Sequence, residues 1–95
     1  MKEIDLHGYK VSEATHYFIK FYNTMLETGS KDPIKVIHGY GASGIGGGIK
    51  LRIRSILKSN QSSLEYVAGE DVDGNPGYTL VYPKRRLSEA SASLS

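Results

Sequence analysis

Ninety-five residues allow one small domain with a modest core, and no second domain of comparable size. The absence of cysteine excludes a disulfide framework and any thiolate metal site. The net charge of +2 lies wholly in the last segment, Lys84 to Ser95, with three positive residues against one negative. No secretion-type apolar segment opens the chain and no run approaches membrane-spanning length, so a soluble, cytoplasmic protein without a membrane partner is expected.

In chain order, "EIDLH" alternates, with Ile4 and Leu6 on one side and Asp5 and His7 on the other, and reads as a strand over residues 3 to 7. From Val11 to about Thr28 apolar residues recur at helical spacing, and Gly29 supplies a stop signal. "PIKVIH" is a second strand, opened by Pro33. A glycine loop follows, running to Gly48, and then a helix to Ser59 with Ile49, Ile53, Ile56 and Leu57 as its buried stripe. Lys50, Arg54 and Lys58 recur every four residues on the other side and form a cationic ridge. "SLEYVA" and "YTLVY" read as the third and fourth strands, and "GEDVDGNPG" between them reads as loop. A calcium loop at Asp71, Asp73 and Asn75 fails, because Pro76 stands where the turn glycine belongs.

The order βαβαββ predicts a two-layer α/β sandwich: a four-stranded mixed sheet with two helices on one face. Residues 1–83 form the domain, and 84–95 read as a polar, disordered tail. A full helix joins the first two strands, so they should run parallel through a right-handed crossover. Their carboxyl ends then share one sheet edge, where ligands bind in open α/β sheets. Asp5, His7, His38 and the glycine loop should therefore converge.

Gly39, Gly41 and Gly44 match a G-x-G-x-x-G dinucleotide pattern, but the turn follows the second strand rather than the first, and such a match alone is weak. The P-loop reading fails because Lys50 is preceded by Ile49 and followed by Leu51. The general feature that survives is a run of glycine amides ending at a helix N-terminus, which suits a phosphate. A carboxylate orienting an imidazole beside that phosphate is a workable acid–base unit for phosphodiester cleavage. The same Asp5, His7 and His38 could instead hold a divalent metal. Tyr9 and Tyr40 each follow a His-Gly step, where either could stack on a nucleobase.

"IDLHG" (Ile4 to Gly8), a helix, "VIHGYG" (Val36 to Gly41) and "GYTLVY" (Gly77 to Tyr82) together resemble the Smr, or small MutS-related, domain. The resemblance covers Glu3 to Tyr82. It implies an α/β fold like the C-terminal domain of a bacterial translation initiation factor, and nucleic-acid binding with endonuclease activity in many members. Carried over, Asp5 and His7 match the family's catalytic D-x-H pair, and His38, Gly39 and Gly41 match its backbone-holding H-G-x-G loop. The added glycines Gly46, Gly47 and Gly48 depart from that pattern.

The leading expectation is an endonuclease acting on DNA or RNA. Asp5, His7 and His38 would be catalytic, and the phosphate would sit on the Gly39 to Gly48 amides (Gly39, Gly41, Gly44, Gly46 to Gly48), with Lys50 and Arg54 adding charge. RNA would require no cofactor, because its 2′-OH can attack, whereas DNA would favour a divalent metal. The rivals are a non-catalytic module for branched or single-stranded nucleic acid and an enzyme of a small phosphorylated metabolite.

Overall fold

A computed structural model describes residues 1–40 and 44–89. The elements run β1 (Lys2–Asp5), α1 (Val11–Glu27), β2 (Ile34–Ile37), α2 (Gly44–Ser59), β3 (Leu64–Ala68), α3 (Gly69–Asp73) and β4 (Tyr78–Pro83). The strands lie side by side in the order β1-β2-β4-β3. β1 and β2 are parallel, with Asp5 opposite Ile37, while β4 runs antiparallel to both β2 and β3. The mixed α/β sheet expected from the sequence is therefore present, and the parallel crossover puts the carboxyl ends of β1 and β2 on one edge. A bond from Leu6 N to Ile37 O at 2.7 Å carries the ladder one residue past β1.

The core forms where the helix stripes meet the inner face of the sheet. Phe18, Ile19 and Tyr22 of α1 and Ile53, Ile56 and Leu57 of α2 pack with Leu6, Ile34, Val36 and Val81. Burying a side chain of this size is worth roughly 1.5–3 kcal/mol relative to exposure, so this layer rather than helix propensity holds the fold. The helix α1 begins with the Lys10 amide donating to Glu13 Oε1 at 3.1 Å, which satisfies one of the unpaired donors at a helix start.

Strand and helix ends shift by one or two residues, so that β1 stops at Asp5 rather than His7, and three differences from the sequence reading are larger. Helix α2 starts at Gly44, not Gly48, although each helical glycine costs about 1 kcal/mol relative to alanine. A β-carbon added at Gly48 would come within 2.8 Å of Val11 Cγ2, so this glycine lets α2 lie close against the start of α1. The segment read wholly as loop holds the one-turn helix α3, with Glu70 and Asp71 in its first turn, where negative charge suits the helix dipole.

The third difference concerns the segment from residue 84, expected as a polar, disordered tail. Leu87 is buried in the core, and Asn23 pairs with its backbone in both directions, donating to Leu87 O at 2.8 Å and accepting from Leu87 N at 2.9 Å. The hydroxyl of Tyr22 is shared between the carbonyls of Ser63 and Arg85. The folded unit therefore reaches Leu87 at least. Among the described residues no helix is long and apolar enough to cross a membrane.

Candidate active site

Strand alternation decides which way each candidate points. Asp5 stands opposite Ile37 in the outward register and is exposed, while Ile4 packs against the core. His7, two residues beyond Asp5, stays outside with it. Its Nδ1 lies 2.6 Å from Asp5 Oδ1, and its backbone N–H donates to the same oxygen at 3.1 Å. The bond to His7 is the main cause that holds the Asp5 carboxyl below its ordinary value. A carboxylate only accepts, so Nδ1 carries the proton, and Nε2 has no hydrogen-bond partner among the described residues. The two side chains remain 71% and 50% exposed.

His38 takes the opposite direction. It lies two residues beyond Val36, on the inward register of β2, and is 1% exposed. Its Nδ1 lies 2.8 Å from the Gly39 carbonyl and its Nε2 lies 2.8 Å from Thr79 Oγ1. A carbonyl only accepts, so Nδ1 bears the proton and Nε2 accepts from the Thr79 hydroxyl. Thr79 Oγ1 in turn accepts from Arg54 Nε at 3.1 Å. Burial is the main cause that pushes the His38 pKa down, with Arg54 and Lys50 adding to it against the Gly39 carbonyl and Glu70. Both His38 ring nitrogens are therefore hydrogen-bonded within the fold, in contrast to the exposed ring of His7. Asp5, His7 and His38 do not gather as one metal-ligand set, and no such group of three occurs among the described residues.

The glycines divide in the same way. Gly8 and Gly39 have φ of +85° and +83°, the left-handed region that costs other residues roughly 1–2 kcal/mol. Each turns the chain sharply after its histidine. The amides of His38 and Gly39 both donate to Gly77 O, at 3.0 and 3.1 Å, so the Gly39 N–H is bonded within the fold. Gly41 lies outside the described residues. Gly44, Gly46 and Gly47 fall in the first turn of α2, where four N–H groups have no partner within the helix; the Gly48 amide lies past that turn. Tyr40 is 64% exposed and its ring lies over Gly77.

Two cations of the ridge, Lys50 and Arg54, share one carboxylate. Arg54 donates through both terminal nitrogens to Glu70, at 2.9 and 2.6 Å, and Lys50 reaches the same carboxylate at 3.4 Å. The Arg54 bonds, ahead of the other causes, hold the Glu70 carboxyl far below its usual range. The single carboxylate of Glu70 in α3 thus offsets part of the charge of Lys50 and Arg54. Thr79, Gly77 and Glu70 were not picked out as site residues, although Gly77 and Thr79 belong to the quoted "GYTLVY" stretch.

These features define a two-layer α/β domain with an open Asp–His pair at its carboxyl edge and a second histidine locked beneath the neighbouring turn. The family model for the Smr domain matches residues 4–84, and the chain belongs to the Smr domain family, which is associated with nucleic-acid binding and nicking. The fold is similar to that of the Smr domain of Thermus thermophilus MutS2, with a TM-score of 0.71 and 24% identity, covering 87% of this chain and 98% of that one. No curated protein matches the chain.

Proposed function

We propose that this Smr domain is a nucleic-acid endonuclease in which Asp5 and His7 carry the chemistry. The observation behind this reading is the 2.6 Å contact from His7 Nδ1 to Asp5, with Nε2 left open at an exposed edge. A carboxylate-oriented imidazole can take a proton from the attacking hydroxyl and return one to the leaving oxygen, typically for a gain of about 10²–10⁴ in rate. The scissile phosphate would rest on the first-turn amides of α2, where the helix dipole favours an anion. His38 would act indirectly, by fixing the turn from which α2 departs.

RNA would supply its own nucleophile, the 2′-OH, and require no cofactor. DNA would require an attacking water, which a divalent metal would activate. The test is a cleavage assay on matched labelled RNA and DNA, with and without EDTA, and with analysis of the product ends. A 2′,3′-cyclic phosphate formed in EDTA would identify RNA and a metal-free route together. Cleavage unchanged by His7→Ala or Asp5→Ala would overturn the assignment, and salt-sensitive binding without products would favour a non-catalytic module.

A further inference from the structure

Two residues past His7 in the chain, Tyr9 meets Tyr17 of α1, and the cleavage chemistry uses neither ring. Tyr9 is 44% exposed and Tyr17 is 47% exposed. Their ring centroids are 5.1 Å apart and the planes are inclined by 46°. The His16 ring is also near, its centroid 6.3 Å from that of Tyr17. Its Nδ1 is tied to Glu89 at 3.1 Å. The fold thus collects aromatic area at the surface instead of burying it, from two elements that meet only in three dimensions. Tyr9 comes from the turn that Leu6 closes on the Tyr9 amide, and Tyr17 from the outer face of α1.

The position matters as much as the exposure. Gly8 alone separates His7 from Tyr9, so their α-carbons are at most about 7.6 Å apart. That separation allows a strand whose phosphate meets His7 to bring its neighbouring base to the Tyr9 ring. The spacing also sets how that base binds. A base sandwiched between two rings needs about 7 Å, two aromatic contact distances, and 5.1 Å does not provide it. One ring must therefore supply an outer face while the other braces it from behind.

We infer that Tyr9, braced by Tyr17, is a base-stacking subsite that takes an unpaired nucleobase next to the phosphate at His7, so the substrate is single-stranded at the cut. The inference rests on the endonuclease reading for the place of the phosphate and adds the strand state of the substrate. Every base offers a π-face, so the subsite accepts any sequence. A paired base in a duplex has its faces covered by its neighbours and cannot enter.

The experiment uses the full chain and a single-stranded oligonucleotide carrying 2-aminopurine, a fluorescent adenine analogue that is quenched on stacking. Affinity and quenching are read for the wild type, Tyr9→Leu, Tyr9→Phe and Tyr17→Leu, with circular dichroism as the check of folding. The expected result is quenching by the wild type and by Tyr9→Phe. Tyr9→Leu should lose the quenching and about tenfold or more in affinity, and Tyr17→Leu should lose less. The penalty should vanish on an oligonucleotide abasic at the stacked position. Affinities of folded Tyr9→Leu and Tyr17→Leu within twofold of the wild type would overturn the subsite, as would an equal penalty on abasic and intact strands. Cleavage is scored separately: quenching without cleavage overturns the endonuclease reading and leaves the subsite, while cleavage without quenching does the reverse. No binding by the wild type overturns both.

Discussion

The molecule contains the dipeptide His-Gly twice, at His7-Gly8 and His38-Gly39, and uses it in two ways. In both, the glycine takes a left-handed φ and the histidine lies just past the end of one of two parallel strands. Yet His7 stands in solvent against a carboxylate, while His38 is 1% exposed with both nitrogens bonded. One imidazole has an open nitrogen, and the other has spent its bonding capacity on shape. The residue type sets what chemistry is available, and strand register sets whether it can be used.

The largest expected effect comes from removing the open imidazole. His7→Ala should lower the single-turnover cleavage rate by about 10²–10⁴. Because the side chain is exposed, stability should change by no more than about 0.5 kcal/mol, read as a nearly unaltered melting curve. Asp5→Asn should cost less in rate, since it leaves the imidazole present but removes the carboxylate that fixes its tautomer.

The buried histidine should answer in stability. Thr79→Val keeps the shape but strips the hydroxyl that donates to His38 Nε2 and accepts from Arg54 Nε. Leaving buried polar groups unpaired costs roughly 1–3 kcal/mol, which in a domain of this size lowers the melting temperature by roughly 5–15 °C. Thr79→Ser should recover most of the loss. Equal damage from the two variants would mean that the methyl group, not the hydroxyl, is what matters.

A smaller effect is common to both steps. Gly8→Ala and Gly39→Ala meet open space, so each should cost only the left-handed backbone penalty, roughly 1–2 kcal/mol, in thermal unfolding. A marked inequality would show that the two turns are not equivalent in the backbone.

The smallest effect is a pH slope. The folded state lowers the His38 pKa below its ordinary 6.5, so the unfolded chain takes the proton first. Stability from this group is complete above about pH 6.5 and is lost as pH falls towards the folded value. Melting curves from pH 7.5 to 5 should show that loss, and His38→Gln should flatten it.

Much of this was legible in the sequence. The helix between β1 and β2 dictated a parallel pair, and that brought the two His-Gly steps to one edge. The direction of His38 was legible as well, because it continues the inward positions Ile34 and Val36, whereas convergence at an edge does not by itself expose a side chain. The early start of α2 was hidden because three successive glycines oppose a helix locally, and the contact that favours Gly48 comes from Val11, far away in the chain. The Glu70 pairing was hidden for a similar reason, since α3 is one turn long and meets Arg54 only in the folded state. Leu87 gave no periodic signal, because its partner Asn23 lies 64 residues earlier.

The measurement that reaches the central claim most directly is a long-range ¹H–¹⁵N spectrum of the histidine rings from pH 8 to 5, with and without a non-cleavable single-stranded oligonucleotide. His38 should remain the neutral Nδ1–H tautomer below pH 6.5 and ignore the oligonucleotide, while the His7 ring shifts on binding. A His38 ring that gains its second proton at or above 6.5, or that responds to nucleic acid while His7 does not, would contradict the account.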